Sequence, residues 1–132
     1  MKKEVIIGVN QQTRKVYFNP KFMDIPKSIK EELQDKIIKL AEETKGIVLV
    51  SFYNNGNVYI EQQDAFADEI AVDMAINNFI NNNRQLINSL KTWYLMYRTR
   101  EGKLAREIFI HNSRKHTPQE FSKYFSTMVE DE

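Results

Sequence analysis

Asp64-Ala-Phe-Ala-Asp-Glu-Ile-Ala-Val-Asp-Met-Ala-Ile76, then Asn77-Asn-Phe-Ile-Asn-Asn-Asn83, then Arg84-Gln-Leu-Ile-Asn-Ser-Leu-Lys-Thr-Trp-Tyr-Leu-Met-Tyr97 is the longest stretch with helical periodicity. Phe66, Ile70, Met74, Ile76, Phe79, Ile80, Leu86, Ile87, Leu90, Trp93, Tyr94 and Tyr97 mark an apolar stripe along it. Asp64 is the expected cap, and Asp68 and Glu69 suit the positive end of the helix dipole. The flaw is five asparagines in the seven residues from Asn77 to Asn83, because their side chains compete for backbone partners. A continuous helix of this length would run ~50 Å, whereas a domain of this size is roughly 36 Å across. Either the helix breaks near Asn81–Asn83 and folds back, or it overhangs and needs a second chain to cover it. The stripe resumes in register at Leu86 and Ile87, which tips the reading towards continuity and a dimer.

Upstream, Val5-Ile-Ile-Gly-Val9 and Lys15-Val-Tyr-Phe18 flank a short polar loop and read as an antiparallel hairpin. Asn19-Pro20 ends the second strand. Asp24 is the expected cap of a helix with Pro26 in its first turn and Gly46 just past its end. Ile29, Leu33, Ile37, Leu40 and Ala41 form its single apolar stripe. Ile47-Val-Leu-Val-Ser-Phe-Tyr53 is nearly continuous in apolar character, as a central strand would be. Asn54-Asn55-Gly56 suggests a type I′ turn into Asn57–Gln62. The expected fold is therefore α+β. Two antiparallel β-hairpins, in ββαββα order, form one sheet with a helix and a long helix packed on it, plus a C-terminal helical extension. Residues 1–97 make the core domain, and 98–132 a basic segment with an amphipathic C-terminal helix.

That extension is unevenly charged. Residues 98–116 hold six basic and two acidic groups, and 117–132 hold one and four, within a chain of net charge +1. Leu104–His111 suits a short strand or a further helical turn equally well, and Asn112–His116 reads as loop. Thr117-Pro-Gln-Glu120 is a capping box with proline at the first helical position. It opens a helix whose apolar face is Phe121, Tyr124, Phe125, Met128 and Val129.

Tyr17-Phe18-Asn19-Pro20, Phe22, Ile25–Ile29, Glu32-Leu33-Gln34, Glu42-Glu43, Gly46-Ile47, Gly56-Asn57, Asp68-Glu69-Ile70, Arg84, Leu86, Leu90 and Tyr94 carry a family likeness. The pattern resembles an uncharacterised family of short bacterial proteins, mostly from clostridial anaerobes and their Firmicute relatives, over roughly residues 5–97. These are turn, cap and core positions. The resemblance implies a fold and a lineage, and no activity, cofactor or site residue comes with it.

Several chemistries lack their residues. There are no cysteines, which removes disulfides, thiolate catalysis and cysteine-based metal sites. The chain has no nucleophile elbow, phosphate loop or dinucleotide fingerprint. Asp64, Asp68, Glu69 and Asp73 include two i,i+4 pairs but lack the histidine or glycine of known metal motifs, and helix-start electrostatics explains most of them. His111 and His116 share neither a helix face nor a strand face. No catalytic residue, metal or cofactor is expected. With no signal peptide or membrane-length apolar run, a cytoplasmic protein is expected.

Three functions follow in order. The first is a non-enzymatic protein-binding or assembly module, a homodimer or a partner for another protein. Its interface would be Leu86, Leu90, Trp93, Tyr94, Tyr97, Phe121, Tyr124, Phe125 and Met128. The second is nucleic-acid binding through Arg98, Arg100, Lys103, Arg106, Arg114 and Lys115, with aromatic residues beside them. The solvated-linker reading competes with it. The third is a small hydrolase or ligand-binding protein with a pocket near Asp64–Asp73. An origin in a phage or mobile element is a further reading of such a chain.

Overall fold

The computed structural model describes residues 2–63 and 68–112, with side chains in the last helix described as far as Ile108. β1 (Lys3–Asn10), β2 (Lys15–Phe18), β3 (Ile47–Tyr53) and β4 (Val58–Gln63) form one antiparallel sheet in the order β2-β1-β3-β4. α1 (Lys27–Thr44) lies between the hairpins. α2 (Glu69–Asn82), α3 (Arg84–Arg98) and α4 (Arg100–Asn112) follow them. The α+β class and the pairing of two hairpins into one sheet are as expected.

Alternation along β3 sets the layers. Val48, Val50 and Phe52 are buried with Ile7, Val9 and Ile60, their neighbours across the ladder, and α1 and α3 pack onto this surface. Tyr17 and Tyr59, out of phase with that set, stand 55% and 39% exposed. β1 is central as well as β3. It breaks alternation with a bulge between Val5 and Ile7, where the register slips by one residue. The extra residue lets Ile6 and Ile7, consecutive in sequence, both reach the core at 0% exposure.

Asn19 stitches that bulge. Its backbone N–H donates to the Ile6 carbonyl at 2.8 Å, and its side-chain Nδ2 donates to the Val5 carbonyl at 2.8 Å. Its Oδ1 accepts from the Lys21 N–H at 3.0 Å, capping a one-turn 3-10 helix at Pro20–Phe22. That turn drives Phe22 into the core.

Local chemistry departs from expectation at three turns. Pro26, not Asp24, is the residue preceding α1, and no side chain caps that end. At the other end Lys45, and not the glycine after it, takes the left-handed conformation, φ 56°. The β3–β4 turn is not type I′, because of its residues only Gly56 has positive φ (84°). The Gly56 N–H donates to the Tyr53 carbonyl at 2.9 Å, closing a tight turn that ends in a left-handed glycine.

The largest correction concerns the long helix. It is interrupted at Asn83 (φ −129°, ψ 32°), and beyond the break α3 buries Leu86, Leu90 and Trp93 in the core, so its apolar face is not left overhanging. Asn83 caps the end of α2 itself. Its N–H donates to the Ile80 carbonyl at 3.3 Å and its Nδ2 to the Phe79 carbonyl at 2.9 Å. Among the described residues, α2 starts at Glu69 with Asp68 as its cap, four residues later than expected, and Asp64 lies outside them. α2 buries Ala75 and Phe79, with Val72, Ile76 and Ile80 half-buried. Asn77, Asn78, Asn81 and Asn82 are all exposed, so four of the five poor helix formers cost no buried hydrogen bond.

Leu104–His111 is helical, within α4, and only Thr99 separates that helix from α3. Thr99 Oγ1 donates to the Leu95 carbonyl at 2.6 Å and accepts from the Gly102 N–H at 3.0 Å. The junction of α3 with α4 is therefore a single-residue corner. The anticipated helix beyond Thr117 lies outside the described residues.

Candidate functional site

The expected interface is largely interior. Leu86, Leu90 and Trp93 are 4%, 0% and 4% exposed, and Tyr94 and Tyr97 pack half-buried against the same core. Beyond the break at Asn83, α3 packs these residues against α1 and β4. Trp93 sits 6.2 Å from both Phe22 and Phe52, and Tyr94 lies 4.8 Å from Phe52. Phe121, Tyr124, Phe125 and Met128 lie outside the described residues.

The expected basic set divides. Arg98 is committed to structure, its Nη2 donating to Asp24 Oδ1 at 2.6 Å and to the Lys21 carbonyl at 2.8 Å. Its guanidinium lies 4.7 Å from the Trp93 ring centre. The Arg98 hydrogen bond holds the Asp24 carboxyl below its ordinary range. Arg106 lies 4.5 Å from the Tyr97 ring. Arg100 and Lys103 are exposed on α4, and Arg114 and Lys115 lie outside the described residues.

Asp68 spends its Oδ1 on the Ile70 and Ala71 N–H groups at 3.0 and 3.3 Å, an ordinary helix cap. No cluster of three His, Asp or Glu side chains suited to a metal occurs among the described residues. Two open clefts do. One, of about 350 Å³, is lined by Glu4, Lys21, Phe22, Tyr94 and Arg98. Its charged walls are internally paired, through Lys21–Glu4 at 3.2 Å and Arg98–Asp24 at 2.6 Å. The other, of about 340 Å³, runs between the β1–β2 hairpin and Ile38 and Glu42 of α1.

Sequence periodicity misplaced the exposed apolar residues. Ile70 and Met74, assigned to the buried stripe, are 74% and 61% exposed. At about 100° per residue they share a face with Asn77 and Asn81, opposite Val72, Ala75 and Phe79. Those asparagines were the available signal. On α4, Leu104 and Ile108 are likewise 58% and 48% exposed.

These features define an α+β domain with the helices' inner faces spent on its own core and isolated apolar pairs on their outer faces. The sequence profile of DUF6145, a family of unknown function, matches residues 3–102, and the chain belongs to that family. No curated protein and no solved structure matches the chain. No described helix is long and apolar enough to cross a membrane.

Proposed function

We infer that this protein is a non-enzymatic binding or assembly module, acting as a homodimer or on another protein, with its contact surface on the outer face of α2. The observation that supports this is the Ile70/Met74 pair, two large apolar side chains one turn apart and mostly exposed. Isolated apolar surface is common, but such a pair on one helix row suits a helix-to-helix contact. A two-fold contact between copies is the economical form, because it buries both pairs with one surface. Light scattering on the intact protein tests it: a dimer mass at micromolar concentration is expected, reduced to monomer by Ile70→Lys with Met74→Lys. A monomer throughout, with no other protein bound through this face, overturns the reading. A cytoplasmic setting and a clostridial or wider Firmicute lineage complete the proposal. A phage or mobile-element origin would be tested by the neighbouring genes.

A second reading, nucleic-acid binding, draws on Arg100 and Lys103, exposed on the outward side of α4. It predicts oligonucleotide affinity that falls steeply with salt and with Arg100→Ala plus Lys103→Ala. Arg98→Ala is unsuitable for this purpose, since it would disturb the Asp24 and Trp93 contacts.

A further inference from the structure

The sheet has a second apolar face. By the ladder register, Tyr17, Gly8, Leu49 and Glu61 stand side by side away from the helices, as do Val5, Ser51 and Tyr59 one row along. An antiparallel sheet with one wet face alternates apolar and polar residues. β3 does not. Val48, Val50 and Phe52 enter the core, yet Ile47, Leu49 and Tyr53, on the other side, are apolar too and only half-buried. Among the described residues, α1, α2 and α3 pack on the core side. The middle of the open face is low. A Cβ on Gly8 would lie 2.9 Å from Leu49 Cδ2, so the Leu49 side chain lies across the glycine. Tyr17 and Tyr59 rise towards the two edges.

We propose that this face docks a second copy of the chain, the two sheets packing face to face about a two-fold axis parallel to the strands. Charge selects that axis. β2 and β4 are opposite edges of the sheet, and on this face β2 carries Lys15 while β4 carries Glu61. Rotation about an axis along the strands sets β2 of each copy over β4 of the other, so Lys15 meets Glu61 of the second copy twice. A two-fold across the strands would set β2 on β2 and match neither charge. Glu61 also takes Lys3 at 2.6 Å, and a carboxylate can accept from both lysines. The same rotation brings Leu49 over Gly8 of the other copy, a side chain above a position that has none. Face-to-face packing of this kind is the usual way for a sheet to bury a second apolar face. Four strands about 4.8 Å apart, and the length of β3 at about 3.4 Å per residue, give a footprint of roughly 450 Å² per copy before side-chain relief. A standard interface buries about 800 Å² per partner, so this contact is of the small, transient kind, with a Kd on the order of 0.1–1 mM. It lies on the opposite side of the sheet from α2 and is independent of the contact proposed there.

Ile70→Lys with Met74→Lys silences the α2 face, so the sheet contact is read in that variant of the full chain. Sedimentation equilibrium should show monomer at micromolar concentration and a reversible dimer as concentration approaches about 1 mM. Amide chemical shifts should move with concentration at Lys15, Tyr17, Leu49 and Tyr59 and stay fixed along α2. Tyr17→Asp should abolish the association, with the emission of Trp93, inside the core, as the control for folding. Lys15→Glu should raise the Kd roughly threefold to tenfold, the range for two screened ion pairs. The same charge change at Arg14, which lines the cleft against α1, should leave it within about twofold. A strict monomer at about 1 mM, association unchanged by Tyr17→Asp, or shift changes away from this face would each overturn the sheet contact. So would shifts at Tyr17 and Tyr59 that answer a single-stranded oligonucleotide and not protein concentration, which would give the face to nucleic acid. None of these outcomes bears on the α2 contact, which is read from the unaltered chain at micromolar concentration.

Discussion

Asn19 carries more of the architecture than its exposure suggests. Its two side-chain hydrogen bonds and two backbone hydrogen bonds, one donated to the Ile6 carbonyl and one accepted from the Phe22 N–H, join the β1 bulge to the 3-10 turn that inserts Phe22. Asn19→Ala keeps both backbone bonds and removes both side-chain bonds, so the Val5 carbonyl loses the Asn19 Nδ2 donor. At roughly 1 kcal/mol each, the loss should be about 2 kcal/mol, read as a lowered urea midpoint with an unchanged slope. Asn19→Asp should cost about 1 kcal/mol, because a carboxylate still accepts from the Lys21 N–H but cannot donate to the Val5 carbonyl. The Arg98–Asp24 pair has a pH signature. Asp24 is held below its ordinary value of 3.8 chiefly by the Arg98 hydrogen bond. The unfolded chain therefore takes up the proton first as pH falls. The stabilisation is complete above that ordinary value and disappears as pH drops through the folded one. Asp24 is half exposed, so the expected size is only a few tenths of a kcal/mol, as for screened surface pairs. Acid titration of unfolding in Asp24→Asn should lack this component, and salt should shrink it in the unaltered protein.

The helices show how closely joints depend on single residues. At the α3–α4 corner, a Cβ placed on Gly102 would lie 1.6 Å from the Leu95 carbonyl oxygen. No rotamer relieves a clash with backbone, so Gly102→Ala must push α4 off α3 or distort the Thr99 turn. The expected cost is about 1–3 kcal/mol, the range for overpacking. Amide exchange should rise through 100–108 while the sheet stays protected, and an unaltered exchange pattern would contradict this tight approach. The break at Asn83 has a different standing in the sequence. Phe79 and Leu86, the buried residues on either side, are seven apart, so they fall within about 20° of one face on a continuous helix. Periodicity therefore looks the same whether the helix continues or bends, and only the asparagines mark the place. The stripe was misread for the same reason: Ile70 and Met74 follow a spacing of four, but Val72, Ala75 and Phe79 follow the face that meets α1 and β4. The central place of β3 was easier to read, because its continuous apolar run leaves it no exposed face. The β1 bulge was not legible, since an extra residue changes alternation only through its partner strand.

Layering decides how the molecule comes apart. One face of the sheet carries the helices, and a single aromatic cluster binds the layers. Phe22 comes from the 3-10 turn, Phe52 from β3 and Trp93 from α3, with ring centres 5.4–6.2 Å apart. The outward-facing exposed residues, including Tyr17, Tyr59, Ile70 and Leu104, contribute little to that joint. The exposed α2 pair could not be read from the sequence for a related reason: the apolar patterns in it code for burial, whereas exposed pairs emerge only once the faces are known. Trp93 is the sole tryptophan and lies within the cluster, so its emission reports contact between sheet and helices. Far-UV circular dichroism reports the helices and strands themselves. If the cluster couples the layers, the two signals should change together in urea as one transition. Phe52→Ala, which opens a cavity between Phe22 and Trp93, should lower both midpoints equally, by about 3–5 kcal/mol of stability. Tyr17→Ala, on the far side of the sheet, should move neither by more than about 0.5 kcal/mol. Separate midpoints, with tryptophan emission shifting first, would mean that α3 peels from the sheet before the strands unpair, and that residues 3–102 are two cooperative units instead of one.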